Sequence, residues 1–161
     1  MTSTVYQQRQ WMKVLWLSLP AITLLVMALE TSGQDTATRL RALLLLALIN
    51  AVVLAVVGCL SIRIDDTDLR WHFGLLGWPR WRVPLAEISH VERCQTRWTE
   101  GWGIRLTTQG MLYNAAGFGA VAVTRIDGRR FRLGSAEPDQ LYAHLQQRIA
   151  SVRAATPAAK P

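Results

Sequence analysis

Residues 124–134 read TRIDGRRFRLG, and the Asp127-Gly128 pair at the centre is a strong signal for a β-hairpin turn. A two-residue loop would place apolar and charged residues together on each face of the hairpin. A three-residue loop, with Gly128 in the left-handed conformation, separates them. Register follows the buried face, so we predict the three-residue loop between strands at 120–125 and 129–133. The apolar pairs are then Val121 with Leu133 and Val123 with Phe131.

The same stretch carries four arginines, which the predicted register directs toward solvent. Arg130 and Arg132 lie on the outer face of the hairpin, and Arg125 lies opposite Arg129 at its tip. One interpretation is a solvated face on which long side chains cover the sheet. Another is a surface for an acidic protein partner or an anionic lipid. No platform of interleaved aromatic and basic residues accompanies the arginines, so we expect no nucleic-acid partner.

Downstream of the hairpin, the sequence predicts an amphipathic helix that begins near Pro138. Proline suits the first helical position, because the N–H group that it lacks has no partner there in any case. Residues 153–161 are rich in Ala and Pro and predict a disordered tail. The apolar stripe of the helix consists of Leu141, Leu145, Ile149 and Val152.

Upstream of the hairpin, short alternating runs separated by turn residues predict further strands. Asp65, Asp66 and Asp68 indicate a turn, because adjacent acids without a His or Glu partner are a poor metal site. About seven strands followed by one helix predict an α+β domain over residues 63–152, a small antiparallel barrel or bent sandwich with a capping helix. The further strands are expected at residues 61–65, 69–73, 82–92, 103–107 and 111–114.

Two apolar segments precede this domain. Residues 42–62 carry no charge, and their length meets the roughly 20 residues that a bilayer core of about 30 Å requires. Residues 12–29 are interrupted by Lys13 and Pro20 but are still long enough if tryptophans at their start lie at the interface. We therefore predict two transmembrane helices. A signal peptide with its cleavage site at Ala28 is the alternative for the first segment.

Charges near the two segments predict their orientation. Six Lys and Arg residues flank the pair on its outer ends, and two lie in the connecting loop. The positive-inside rule therefore places both termini and the domain in the cytoplasm, and we expect residues 1–62 to form an N-terminal tail and the two transmembrane helices.

Asn50 is the strongly polar residue inside the second apolar segment. A buried amide in a membrane helix needs a hydrogen-bond partner. We expect this partner to be Ser18 or Thr23 of the first segment, or a second copy of the chain.

The loop over residues 74–82 is predicted to lie at the bilayer surface. The strand before it returns antiparallel toward the membrane over about 20 Å. Trp favours the headgroup layer and Arg favours anionic lipid, so the loop is a candidate membrane-interface site. Alternatively, its aromatic side chains pack under the sheet. The candidate residues are Trp78, Arg80, Trp81 and Arg82.

Four short motifs occur in a fixed order: GWGIR at 101–105, Gly110 with Tyr113-Asn114, DGRR at 127–130, and LGSAEP at 133–138. As a set, and with two apolar segments before them, they resemble bacterial two-pass membrane proteins with a cytoplasmic pleckstrin-homology-like (PH-like) domain. The resemblance covers residues 12–149. It implies a PH-like fold and an inner-membrane location. It does not imply phosphoinositide binding, because no dense Lys/Arg loop lies between the first strands.

The sequence contains no phosphate-loop, serine-hydrolase or zinc-protease motif. His90, Glu92 and Cys94 share one face of a predicted strand. Side chains on a single strand lie in a row, however, and do not point toward a common centre as catalytic groups must. We therefore predict a non-enzymatic scaffold or protein-binding module without metal or cofactor. An anionic-lipid-binding module is the first alternative, and an enzyme with a site near His90 is the second. The expected partners are the lipid bilayer, a protein, or a second copy of the chain through the transmembrane helices.

Overall fold

The computed structural model describes residues 4–29 and 35–155, which form an α+β fold of two sheets and three helices. Neighbouring strands of the first sheet are antiparallel throughout. Its strands, in spatial order, are β1 (Thr4–Trp11), β2 (Cys59–Asp65), β3 (Asp68–Phe73) and β4 (Arg80–Pro84). The second sheet contains, in spatial order, β5 (Ile88–Gln95), β8 (Gly119–Arg125), β9 (Arg130–Gly134), β7 (Gly110–Asn114) and β6 (Gly103–Thr107). The helices are α1 (Lys13–Leu29), α2 (Thr36–Val57) and α3 (Pro138–Ala155).

The edge strand β1 lies in residues that the sequence indicated to be an N-terminal tail. It pairs with β2 along its length, so that Trp11 lies opposite Cys59. Tyr6 and Gln10 of β1 are buried, and Gln10 donates a hydrogen bond from Nε2 to the carbonyl of Gly134 at 2.8 Å. The folded domain therefore takes residues from both sides of α1 and α2 and is not confined to 63–152.

The second apolar run is part helix and part strand. Helix α2 ends at Val57, and the remaining apolar residues form the start of β2, where Leu60 and Ile62 are fully buried. A continuous apolar run does not distinguish a helix from a buried strand, which is why the predicted end at residue 62 was wrong. Among the described helices, α2 alone is long and apolar enough to span a membrane, and α1 is a shorter apolar helix.

Helices α1 and α2 pack against each other through the polar contact that the sequence predicted. Asn50 donates a hydrogen bond from Nδ2 to Oγ1 of Thr23 at 2.8 Å. Thr23 in turn donates to the carbonyl of Leu19 at 3.0 Å. Thr23 is therefore the partner of Asn50, and the amide is satisfied within one chain.

The arginine-rich hairpin has the predicted register. Val121 lies opposite Leu133, and Val123 lies opposite Phe131. The Arg125 amide donates to the Arg129 carbonyl at 2.9 Å and closes a three-residue loop, in which Gly128 has a φ of 80°.

Of the two predicted arrangements, an antiparallel barrel and a bent sandwich, the barrel is not formed. Strand β7 pairs in parallel with β9, with Met111 opposite Phe131, so the second sheet is mixed. The predicted strand at 82–92 is divided by a 3₁₀ turn at Leu85–Glu87, and the chain changes sheet there. A slot of about 470 Å³, lined by residues that include Trp81, Val83 and Met111, lies between β4 and the second sheet. The domain is a bent sandwich of two open sheets.

Helix α3 begins at Pro138, as predicted, and covers one side of the sandwich. Its residues Leu141, Leu145 and Ile149 are buried in the core. A fully buried leucine contributes about 1.5–3 kcal/mol, so this stripe holds the helix in place. The helix extends to Ala155, three residues into the expected tail, and residues 156–161 lie outside the described residues.

Candidate functional site

The first sheet has one apolar and one basic face, because side chains alternate along each strand. Its apolar face, with Ile62, Leu69 and Phe73, packs into the core. Its other face carries arginines from all four strands and faces a basin of about 670 Å³. We call this surface the arginine face. Its basic residues are Arg9 from β1, Arg63 from β2, Arg70 from β3, and Arg80 and Arg82 from β4.

The arginine face is organised in two rows across the sheet. Strand register sets each row, since residues paired across strands stand side by side. The row nearest the helices is Arg9, Ser61, His72 and Arg80. The next row is Gln7, Arg63, Arg70 and Arg82.

Two aspartates at the far end of the sheet compensate part of this charge. Asp68 accepts hydrogen bonds from Arg82 Nε at 2.8 Å and from Arg70 Nη2 at 3.0 Å. Asp65 Oδ2 lies 3.3 Å from Arg70 Nε. Burial by itself would raise the pKa of Asp68, but hydrogen bonds from Arg82, Arg70 and Thr67 outweigh it and lower the pKa below its ordinary value. Asp68 is therefore a fixed negative charge that neutralises the second row in part.

The remaining three arginines have no carboxylate partner among the described residues. Arg63 donates from Nη2 to the Gln7 side-chain oxygen at 3.0 Å, and Arg9 donates from Nε to the Ser61 hydroxyl at 3.3 Å. The exposed Arg80 makes no side-chain hydrogen bond or ion pair within the described residues. Five arginines against two aspartates leave the face with an excess of three positive charges. Such a surface attracts anions.

The loop after β3 lies against the end of α2. The Leu75 amide donates to the Ala55 carbonyl at 2.8 Å. Gly74 has a φ of 70°, and a Cβ there would lie 2.3 Å from that same carbonyl oxygen, so this approach requires glycine.

The two tryptophans of this loop region differ in their surroundings. Trp78 is 67% exposed in this loop. Trp81 packs on Trp71 and Tyr113, with ring centroids 6.1 and 4.7 Å away. Trp78 thus fits the membrane-interface interpretation, and Trp81 fits the alternative of packing under the sheet. Arg80 and Arg82 belong to the arginine face.

The hairpin arginines are each next to a carboxylate. Arg125 lies 2.5 Å from Glu87, Arg129 lies 3.7 Å from Asp127, and Arg130 pairs with Glu92. The predicted anion or partner surface at Arg125, Arg129, Arg130 and Arg132 is therefore largely neutralised.

Arg132 is not on a solvated face, which corrects the sequence interpretation. Its side chain is 2% exposed and pairs with Glu100, which follows β5 in a short 3₁₀ turn. It also donates to Oγ1 of Thr107 at 3.0 Å. Hydrogen bonds from Arg132 are the main reason that the pKa of Glu100 is lowered. Arg132 therefore holds the 98–107 segment on the second sheet.

The other candidate groups do not converge. His90 is largely exposed and lies 3.9 Å from Glu92, which is held by Arg130. Burial raises the pKa of the Cys94 thiol, which disfavours the nucleophilic thiolate. Asp66, from the predicted acidic turn, pairs with Arg148 at 3.0 Å. Within the described residues, no group of three His, Cys, Asp or Glu residues is placed to hold a metal.

Sequence reasoning identified Arg80 and Arg82 but not the face to which they belong. Arg9 was counted only as a charge flanking a helix, because β1 was not recognised. One signal could have found it: residues 4–11 precede α1 and β2 follows α2, so the two segments extend side by side from the same end of the helix pair. The tight turn between β2 and β3 is a second signal, because it fixes the strand register that places Arg63 opposite Arg70.

The chain matches no protein-family model, and no curated protein or solved structure is significantly similar to it.

Proposed function

We propose that this chain is a membrane-anchored, non-enzymatic interaction module that binds an anionic partner through the arginine face. The observation that supports this proposal most directly is the junction between the first sheet and the helices. Strand β1 continues directly into α1, and α2 continues directly into β2. Met12 follows β1 and donates its amide to the Gly58 carbonyl at 2.9 Å, and Trp16 Nε1 donates to the same carbonyl at 3.0 Å. The sheet and the helix pair are joined without a linker.

The dimensions of the helices support a two-pass anchor. At 1.5 Å per residue, the 22 residues of α2 extend over about 33 Å and the 17 residues of α1 over about 25 Å. A bilayer core is about 30 Å thick, and a shorter helix is accommodated by local thinning and anchoring residues. Trp11 and Trp16 meet edge to face at the start of α1, where interfacial tryptophans belong.

The same junction supports an uncleaved first segment. Cleavage at Ala28 would remove β1, whose buried Tyr6 and Gln10 complete the first sheet. With α1 retained, both ends of the helix pair would lie on one side of the membrane, and the charge rule supports the cytoplasm as that side.

The proposal includes the PH-like family for its fold only. A strand-rich domain followed by a C-terminal helix supports it, and the parallel β7–β9 pair is a departure from an all-antiparallel layout. The proposed function rests on the arginine face, because a shared fold does not by itself define a function.

Photo-crosslinking in native membranes tests this function. A benzophenone amino acid replaces Gln7, an exposed residue of the second row. A control replaces Ile126 at the hairpin tip, which is 70% exposed. We expect a crosslinked product from position 7 that weakens when Arg80 is changed to Gln, and little from position 126. Chain released from membranes by alkaline carbonate, or equal products from both positions, would contradict the proposal.

A further inference from the structure

We infer that the anionic partner of the arginine face is the headgroup of acidic phospholipids in the leaflet to which the helices anchor the chain. This inference rests on the proposed function. Its first support is the height of the face above the helices. Arg9 lies two residues from Trp11, which is a distance of about 7 Å along a strand.

That height matches the headgroup layer. A bilayer of about 40–45 Å with a core of about 30 Å has some 5–8 Å of headgroup on each side. The first row, with Arg9, His72 and Arg80, therefore lies at the level of the phosphates. The second row lies about 13 Å from the helix ends, where a negative surface still acts, because the Debye length is about 8 Å at physiological ionic strength.

Apolar side chains surround the membrane end of the arginine face. Leu75, Leu76 and Trp78 of the loop after β3 are between 49% and 76% exposed. Trp11 is also exposed, next to Arg9. Exposed leucine and tryptophan beside unpaired arginines are the combination that binds a membrane interface. A soluble phosphate or an acidic protein would use the arginines but would leave these apolar side chains in water.

The charge of the site selects acidic over zwitterionic lipid. A phosphodiester accepts hydrogen bonds from guanidinium groups, and Arg9 and Arg80 present theirs from opposite edges of the sheet, about 14 Å apart across three strand spacings. A choline group would add a cation to a surface that already has an excess of three positive charges. Phosphatidylglycerol has no such cation, so it is the better ligand.

Native mass spectrometry of the full chain tests the inference. The purified chain in detergent is titrated with phosphatidylglycerol or phosphatidylcholine of matched acyl chains, and lipid-bound species are counted. Arg9→Gln with Arg80→Gln removes the two unpaired charges of the first row. The matched control, Arg129→Gln with Arg130→Gln, removes two charges from the hairpin. A further arm adds inorganic phosphate as competitor.

We expect the wild type and the hairpin control to prefer phosphatidylglycerol, and the Arg9/Arg80 variant to bind it about tenfold or more weakly. Phosphatidylcholine binding should be the same in all three. Equal loss in both double variants, or no preference in the wild type, would overturn the inference. Effective competition by millimolar inorganic phosphate would also overturn it and would indicate a soluble ligand.

The outcome is separable from that of the proposed function. A protein crosslinked at position 7, together with no lipid preference, would support the proposed anion-binding module and contradict the lipid as its partner. A chain that is neither membrane-bound nor crosslinked would reject both.

Discussion

The two sheets carry arginine clusters of similar size with different surroundings. In the second sheet, Arg125, Arg129, Arg130 and Arg132 each have a carboxylate within an ion-pair distance. On the arginine face of the first sheet, Arg9, Arg63 and Arg80 have none among the described residues. The hairpin is the denser run in the sequence, yet the first sheet has the larger uncompensated charge.

The difference shows that the position of the acids matters more than the density of the arginines. Opposite charges that are paired largely cancel and present little electrostatic field to a partner. Glu92 and Glu100 come from strands and turns distant in sequence from the hairpin, and the fold brings them onto it. Arginines that the fold leaves without acids are the ones available for binding.

The largest expected effect tests the structural role of the hairpin arginines. Arg132→Met removes the buried member of an ion pair and leaves the partly enclosed Glu100 carboxylate without its guanidinium partner, so we expect the free energy of unfolding to fall by about 3 kcal/mol. Tryptophan fluorescence of the full chain in detergent during denaturant titration measures it.

A second variant separates charge from packing in that experiment. Adding Glu100→Gln to Arg132→Met removes the unpaired charge, and most of the stability should return. If Arg132→Met is as stable as the wild type, the buried pair does not hold the 98–107 segment, and the contrast between the two sheets fails.

A smaller effect is expected at the acid that holds part of the arginine face. Asp68→Asn removes the charged partner of Arg70 and Arg82, and it should lower stability by about 1–3 kcal/mol at neutral pH. Because the folded-state pKa of Asp68 is depressed, its contribution is complete above its ordinary pKa of 3.8 and is lost as the pH falls through the folded-state pKa.

The difference between wild type and Asp68→Asn should therefore be constant above about pH 5 and shrink below pH 4. Unfolding curves at a series of pH values measure this. A difference that grows on acidification would mean that Asp68 is not held as an ion by the two arginines.

The smallest effect is expected at the hairpin tip. Arg129 is 80% exposed and 3.7 Å from Asp127, so Arg129→Ala should change the free energy of unfolding by no more than about 0.5 kcal/mol. The same unfolding measurement applies, with Arg132→Met as the positive reference. A loss above 1 kcal/mol would show that Arg129 also stabilises the fold. Exposure would then not distinguish the stabilising arginines of the hairpin from the others.

The local sequence pattern was sufficient to predict those elements whose structure depends on their own residues. The Asp127-Gly128 turn and the alternation of apolar residues predicted the hairpin register, since a slip would have exposed Phe131 and Leu133. The spacing of Leu141, Leu145 and Ile149 predicted α3 in the same way. The need of an amide for a partner within an apolar helix predicted a hydrogen bond of Asn50 to Ser18, to Thr23 or to a second copy of the chain, and the partner in the structure is Thr23.

Pattern failed where the structure of a segment depended on a distant neighbour. The strand β1 is stabilised by pairing with β2, about 50 residues away, and its own sequence is too polar to indicate a strand. The end of α2 was predicted too late, because Leu60 and Ile62 are apolar in either structure. Arg132 was predicted to face solvent, because nothing local shows that Glu100 covers it.

The sequence by itself determined the α+β class, the apolar helices, the hairpin and the capping helix, because these follow from periodicity, turn chemistry and hydrophobicity over short stretches. Only the tertiary structure decided which arginines are neutralised. Ion pairing depends on through-space proximity, and both the addition of β1 to the first sheet and the placement of Glu100 over the second require contacts between distant parts of the chain.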